Sequence, residues 1–333
     1  MRLQTFMSKK ITILDIAKLS GVGKSTVSRF FNNGYVSEEV REKIQRVIDE
    51  HGYAPNLFAR GIKTKNNKFI GVIVPCFDST TTSTILMNLD TKLRGEGYIP
   101  LIINTNHDIE LEKANLDNLW RLNVEGIIIL ATQITPEHKN FVKRTQLPTL
   151  FVGQICSNGY SIINNENEAG KKIGNKVLKA NLKKILYIGV DEKDITVGVT
   201  RREAVFKILR KSPDIEITEI KSDFSLEKTE ILVDEYLKNN SPDCIVSATD
   251  NMAFGAMKAI YRHGYKIPED ISILGFGGYK ISDVVTPRLT TIKYNNEMTG
   301  KLAAETIIKL IRNEEVPKIQ KIDYEFLDRE SVK

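Results

Sequence analysis

The sequence predicts an α/β protein: an all-helical N-terminal domain, then a large two-lobed domain with parallel sheets. Three observations predict it. Residues 12–51 carry helix-period apolar spacing broken by glycine-bearing turns. From Phe69 onward, short apolar runs alternate with amphipathic segments, as strands buried on both faces do between covering helices. That alternation comes as two series, one on either side of residues 155–165. At 333 residues the chain has room for two or three domains with sizeable cores. Its 41% hydrophobic and 27% charged content fits a globular chain, so neither a fibrous nor a disordered class is indicated.

The first helix starts at Thr12, which can cap it with Asp15 at the third helical position as the reciprocal partner. Ile13, Ile16, Ala17 and Leu19 are spaced to bury one face. Ser20-Gly21-Val22 breaks that helix, and Lys24–Phe31 reads as a second. Two short helices joined by a glycine turn make a helix-turn-helix, whose second helix fits the DNA major groove. Asn32-Asn33-Gly34 is a turn; Ser37 then caps a third helix on which Val40, Ile44, Val47 and Ile48 keep helical spacing to about His51-Gly52. Pro55 permits a new start, and Asn56–Ile62 can form one or two helical turns, too short to be stable without a partner. Lys63–Asn67 is a polar linker. The expected division is 1–54 for the helix-turn-helix domain, 55–67 for the hinge helix and linker, and 68–333 for the two-lobed domain.

Charge follows the same division. Residues 1–66 hold 12 Lys+Arg against 6 Asp+Glu, and the remaining 267 hold 36 of each. The whole net charge of +6 therefore sits on the helix-turn-helix and hinge, as expected if that module meets phosphates. A solvated basic face is the plainer reading of the same numbers.

In the large segment the expected strands are 69–74, 99–103, 126–131 and 148–152, then 185–190, 216–221, 244–248 and 271–275. Helical patterns lie between them, such as 108–122, 166–180, 200–211, 225–239 and 250–263. Two such runs suggest paired α/β lobes of the periplasmic-binding-protein type. Segments 290–296 and 318–327 are expected to cross back, with helix 296–313 packed on the first lobe. Ligands bind such sheets at the carboxyl ends of the strands, here facing the cleft between lobes. The strand-end loops at Cys76–Thr80, Asn104–His107, Ala131–Gln133 and Val152–Gln154 offer carboxylates, amides and hydroxyls suited to sugar hydroxyls, although any of them can be a solvated turn.

Several classes are disfavoured. Cys76, Cys156 and Cys244 are far apart and form no CxxC pair, so buried thiols in a reducing compartment are expected. The four histidines lack metal-binding spacing, and neither a metal nor a cofactor is expected. No apolar run approaches the roughly 20 residues of a membrane helix, and the start, MRLQTFMSKK, has no signal-peptide core. A cytoplasmic, nucleoid-associated protein is expected, with Met7 an alternative start that would leave 1–6 as a disordered lead. No phosphate loop, GxGxxG or GxSxG follows a strand, so no enzyme is predicted.

Three ordered motifs carry a family resemblance: T-I-x-D-I-A, then G-V-x-x-x-T-V-S-R-x-x-N, then G-Y-x-P-N-x-x-A-R. The chain resembles LacI/GalR-type bacterial repressors over nearly its whole length. The resemblance implies that Lys24 and Ser25 read base edges from the first turn of the recognition helix, Lys24 toward guanine. Thr12, Thr26, Ser28 and Arg29 would bind phosphates or bases, and Val27 the core. Ile62 falls where such repressors insert an apolar wedge into the minor groove and kink the duplex, with Asn56, Arg60 and Lys63 anchoring the hinge to the backbone; Ile62 as plain linker is the other reading. Gly23 stands where a Ser usually caps, a loss of a few tenths of a kcal/mol. Gly61 inside the hinge costs roughly 0.5–1 kcal/mol relative to Ala and deepens its dependence on DNA.

For the cleft, the resemblance places Arg201 as a guanidinium clamp on an effector, with Ala204 where the family has Gly. Phe224 would stack on the ligand, or else belong to the core. Thr249 and Asp250 stand at the cleft, with Asp250 a possible helix N-cap. The family's Gly-aromatic-Asp after the last strand of that series is here Phe276-Gly277-Gly278-Tyr279, so that carboxylate is absent and Tyr279 and Asp78 would supply contacts, with Ser79 beside them. The finer likeness is to sucrose-operon repressors of Gram-positive bacteria. The resemblance therefore implies a homodimer on a palindromic operator, released by a small sugar or sugar phosphate. The alternatives are a global carbon regulator with a protein or phosphosugar co-repressor, a purine-responsive repressor, and a sugar-binding transport protein, which the helix-turn-helix argues against.

Overall fold

A computed structural model describes residues 11–31, 34–53 and 67–333. It divides into two compact units, 1–67 and 68–333. The expected hinge helix and its residues Asn56, Arg60, Gly61, Ile62 and Lys63 lie outside the described residues.

In the first unit, α1 (Ile13–Ser20), α2 (Lys24–Phe31) and α3 (Glu38–His51) close on one small core. Thr12 and Asp15 form the reciprocal cap: the Thr12 N–H donates to Asp15 Oδ2 at 2.8 Å and the Asp15 N–H to Thr12 Oγ1 at 3.3 Å. Gly21, at φ 68°, takes the left-handed turn that ends α1. Ile16, Val27 and Ile44 are fully buried, with Ile13, Val40 and Ile48 packed around them. Leu19 does not join them; it is 54% exposed, and Ser20 turns inward instead, its hydroxyl donating to the Ile16 carbonyl at 2.6 Å. At roughly 100° per residue, the arc centred between Ile16 and Ala17 contains Ser20 and leaves Leu19 well to one side.

The second unit begins with β1 (Phe69–Val74), α4 (Thr80–Gly95), β2 (Ile99–Asn104), α5 (Ile109–Arg121), β3 (Gly126–Leu130), α6 (Pro136–Thr145), β4 (Thr149–Val152) and β5 (Tyr160–Asn164). The chain then crosses to α7 (Glu166–Lys179) and β6 (Lys184–Gly189). A seven-residue π-helix, Ile195–Arg201, runs straight into α8 (Arg202–Leu209). β7 (Glu216–Lys221), α9 (Leu226–Leu237), β8 (Cys244–Ser247), α10 (Asp250–Arg262), β9 (Ser272–Gly277) and β10 (Thr290–Tyr294) complete the second lobe. A second crossing leads to α11 (Asn296–Ile311) on the first lobe, where Ala303, Ala304 and Ile307 share a core with Ile70, Val72 and Leu89. A third separates β11 (Ile319–Ile322) from β12 (Tyr324–Leu327).

Each lobe holds a six-stranded sheet, ordered β11-β5-β4-β3-β1-β2 and β12-β10-β9-β8-β6-β7. All pairings are parallel except β12 with β10. Where helices cover both faces the apolar runs became central strands, and every residue of β1 and of β9 is buried; the run at 99–103 became the edge strand β2, with Ile102 exposed. β5 falls in the span that the sequence suggested as a lobe divider: Tyr160, Ile163 and Asn164 are only partly buried, which dilutes the apolar signal.

Candidate functional site

Gly23 begins the recognition helix with no capping side chain, its carbonyl accepting the Thr26 and Val27 N–H groups at 2.9 and 3.1 Å. Val27 faces the core, while Lys24, Ser25, Ser28 and Arg29 are exposed and Thr26 is half-buried. Among the described residues, none of those five polar side chains hydrogen-bonds within the protein. They form one outward polar face with donors unengaged, the chemistry that base edges and phosphates accept. Thr12 is exposed, but its hydroxyl already donates to Asp15 Oδ2 at 2.8 Å.

In the second unit the carboxyl ends of the two sheets face each other and touch. Tyr279 Oη meets Thr81 Oγ1 at 3.3 Å, Gln154 Nε2 donates to Asp194 Oδ1 at 3.2 Å, and Thr196 Oγ1 donates to the Gly153 carbonyl at 2.5 Å. The π-helix and its cap Asp194 carry the second-lobe side of two of these contacts, and the helix ends on Arg201. Such i→i+5 turns are rare and cluster at functional sites. This one depends on Gly198, since a Cβ there would run into the Asp191 carbonyl.

Arg201 is 5% exposed and its fork is closed on Glu166. Nε and Nη2 donate to the two Glu166 oxygens, each at 2.8 Å, and Nη1 donates to the Ala248 carbonyl at 2.6 Å. Tyr294 Oη donates to the same carboxylate at 2.6 Å. Burial alone would lower the guanidinium pKa, but the Glu166 carboxylate and Tyr294 outweigh it and hold it raised. The fork expected on the effector is therefore occupied by the protein's own carboxylate.

Thr249, not Asp250, is the N-cap of α10; its hydroxyl accepts the Met252 N–H at 3.3 Å. Asp250 is fully buried one residue further on. It accepts the Thr291 hydroxyl at 2.6 Å and the Tyr279 N–H at 3.0 Å, so it pins the loop that follows β9. Burial pushes its carboxyl up to about 6, against the Thr291 hydroxyl and the Tyr279 and Gly278 N–H groups. Gly278, at φ 63°, passes so close to Lys293 that a side chain there would land on it. That turn delivers Tyr279 to Thr81 of the first lobe. Burial also raises the Tyr279 phenol, against the Thr81 hydroxyl that it meets.

Phe224 is half-buried on the edge of the second-lobe core that also takes Tyr279 and Val197. Its φ of 70° is uncommon for an aromatic residue. The flanking Ser225 hydroxyl donates to Asp223 Oδ1 at 2.6 Å and steadies that turn. Ser79 caps α4, accepting the Thr82 N–H at 3.3 Å. Asp78 is exposed on the same first-lobe loop, beside Cys76, whose thiol burial pushes up to about 11 with help from Asp78. The structure thus joins Asp250 to Tyr279 and sets the Arg201 guanidinium over the Phe276 ring of β9, with the Asp78–Ser79 loop adjoining Thr81. Glu166, Tyr294, Asp194 and Thr291 were not singled out from sequence; each is a partner supplied by a distant element, with no local motif. Buried Tyr187 Oη and Ser247 Oγ have no hydrogen-bond partner among the described residues.

Among the described residues no helix is long and apolar enough to cross a membrane, and no group of three His, Cys, Asp or Glu is placed to hold a metal. A helix-turn-helix with a free polar face, joined in one chain to a cleft between two parallel-sheet lobes, defines a ligand-responsive transcription regulator. Residues 12–56 match the family described as bacterial regulatory proteins, lacI family, and residues 175–332 match a periplasmic binding protein-like domain. The sucrose operon repressor of Staphylococcus xylosus is 34% identical over 317 residues, 94% of this chain and 98% of its own. The ribose operon repressor of Lactococcus lactis is 28% identical across 97% and 98%. The chain belongs to the lacI family of bacterial regulatory proteins. Its fold is that of the lac repressor dimer crystallised with operator and the anti-inducer ONPF, with a TM-score of 0.85 at 24% identity over 97% of this chain and 99% of that one.

Proposed function

We propose that this protein is a homodimeric repressor of a sugar-utilisation operon, held on a palindromic operator and released when a small sugar occupies the cleft. The observation that carries the reading is the likeness to a sucrose operon repressor along 94% of the chain, through both the helix-turn-helix and the two-lobed unit. The division of labour is 1–54 for reading DNA, 55–67 for the hinge and 68–333 for effector binding and dimerisation. Lys24 and Ser25 read bases; Thr12, Thr26, Ser28 and Arg29 add phosphate or base contacts. In the hinge, Ile62 wedges the minor groove between anchors at Asn56, Arg60 and Lys63. Asp78, Ser79, Arg201, Phe224, Thr249, Asp250 and Tyr279 form the effector site, several of them by holding its walls rather than by direct contact.

A second copy supplies the second half-site. Exposed apolar side chains on the second lobe support that partner. Val284 is 73% and Ile281 50% exposed, and Tyr261 stands in the same region with its hydroxyl on the Thr286 carbonyl. Sugar binding and operator binding are then reciprocally coupled, and a tenfold loss of DNA affinity requires about 1.4 kcal/mol of differential binding. The protein acts in the cytoplasm on the nucleoid, with no catalytic step and no cofactor.

The test is a gel shift with the full-length protein and the DNA upstream of its own operon, followed by footprinting with and without sugars. A symmetric footprint lost on adding one sugar is expected. Binding no tighter than to unrelated DNA, or a footprint indifferent to every sugar, refutes the proposal.

A further inference from the structure

We infer that the cleft takes an uncharged sugar and discriminates against phosphorylated sugars, because its buried guanidinium is already matched to a carboxylate of the protein. This rests on the reading that the cleft binds the effector.

Arg201 is the only arginine or lysine buried among the described residues. Three of its N–H groups are engaged by Glu166 and the Ala248 carbonyl, and the Phe276 and Tyr294 ring centroids lie 4.8 and 5.2 Å from it. Glu166 is itself fixed by the Tyr294 hydroxyl at 2.6 Å. A phosphate that took over the guanidinium would have to expel that carboxylate and leave it buried without a counter-charge, which proteins tolerate poorly. Several second-lobe cations are already neutralised by the protein's own carboxylates. Arg202 is paired with Glu192, Glu203 and Glu219, Lys221 with Glu192, and Lys228 with Asp223. Carboxyls stand on both sides of the cleft: Asp250 and Asp194 on the second lobe and Asp78 at the first-lobe edge. A dianion meets like charge from both lobes.

The same groups suit a neutral polyol. Carboxylates and the Gln154 amide accept or donate to hydroxyls, and the half-buried Phe224 and Tyr279 rings offer faces for the C–H side of a sugar ring.

The test is calorimetry on the full-length protein with glucose, fructose, ribose, sucrose and cellobiose, each of the first four also as its terminal phosphate. At least one unphosphorylated sugar is expected to bind, and to bind at least tenfold more tightly than its phosphate. A phosphate binding as well as its parent, or a panel with no unphosphorylated binder, overturns the inference. Glu166→Gln is the second arm. Weakening the internal match should lower the neutral-to-phosphate preference at least fivefold, and an unchanged preference overturns the role given to the Arg201–Glu166 pair. If that variant does not fold, the wild-type ratio still decides. Operator binding in the absence of sugar is measured separately, so failure of the repressor reading shows there and leaves the ligand ratio untouched.

Discussion

Replacing Asp250 by Asn should remove a pH dependence from the stability of the second lobe. The carboxyl is fully buried and faces two protein donors, the Thr291 hydroxyl at 2.6 Å and the Tyr279 N–H at 3.0 Å, yet burial dominates and lifts it from 3.8 to about 6. Its folded pKa lies above its unfolded one, so the folded state binds the proton more tightly. The stability this contributes is complete below about pH 4, is lost as pH rises towards 6, and changes no further above that. Two pKa units at about 1.4 kcal/mol each give about 3 kcal/mol across the window. Asparagine keeps the shape and cannot ionise: its carbonyl accepts from Tyr279, and its amide donates to Thr291 once that hydroxyl rotates. Urea unfolding followed by circular dichroism, run on both proteins from pH 4 to 7.5, measures the difference. The variant should gain on wild type by about 3 kcal/mol between pH 4 and 6.5 and then stay level. A stability difference that is the same at pH 4 and pH 7 would refute the argument that the carboxylate is held against its desolvation. A difference of opposite sign would mean that a cation compensates it.

Arg201→Ala should cost about 3–5 kcal/mol, because it strands a buried Glu166; a melting temperature within two degrees of wild type would show that the pair is not buried as described. Thr12→Ala removes one half of the reciprocal cap and should cost about 1 kcal/mol. It would appear in the full chain as faster hydrogen exchange of the α1 amides, and unchanged protection would show that the cap contributes nothing. Lys24→Ala should relax the choice of one operator base pair by about 1–3 kcal/mol, scored on a panel of single-base operator variants. Uniform weakening across that panel would reassign Lys24 to a phosphate.

Much of the architecture was legible because it is repetitive. A strand buried on both faces is largely apolar, so FIGVIV and ISILG stand out from the polar text around them, although the second strand runs on through Phe276 and Gly277. The first helix was legible to its ends, since Gly21 and the Thr12–Asp15 box are local signals. Leu19 misled because a two-turn helix offers too few positions to locate the centre of its buried arc. β5 was missed because a strand with Ser161 and Asn164 in its five residues looks like a loop until its neighbours are known. At the candidate site the sequence marked Arg201, Asp250 and Tyr279 but not their partners: Glu166 lies 35 residues from Arg201 and Thr291 lies 41 from Asp250. Nothing local announces a partner at that separation.

Those partners alter what a substitution at Arg201 can demonstrate. Glu166 opens α7 just after the chain first crosses between lobes, and Tyr294 closes β10 just before it crosses back. One guanidinium, Glu166 and the Tyr294 hydroxyl therefore tie two of the three crossings to the end of β8 through the Ala248 carbonyl. Removing the arginine would disturb the place from which one lobe moves against the other, whether or not the side chain ever touches a sugar. A repressor with Arg201→Ala that no longer answers to sugar would thus be equally explained by a lost contact and by displaced crossings. A charge-preserving Arg201→Lys cannot separate the two, because lysine cannot span both Glu166 oxygens and Ala248 as the fork does. The discriminating measurement is sugar affinity in Tyr294→Phe, which leaves the Arg201 bonds to Glu166 and the Ala248 carbonyl in place while releasing Glu166 from the second crossing. If affinity holds while operator release fails, the cluster transmits the signal; if affinity itself falls, it shapes the site.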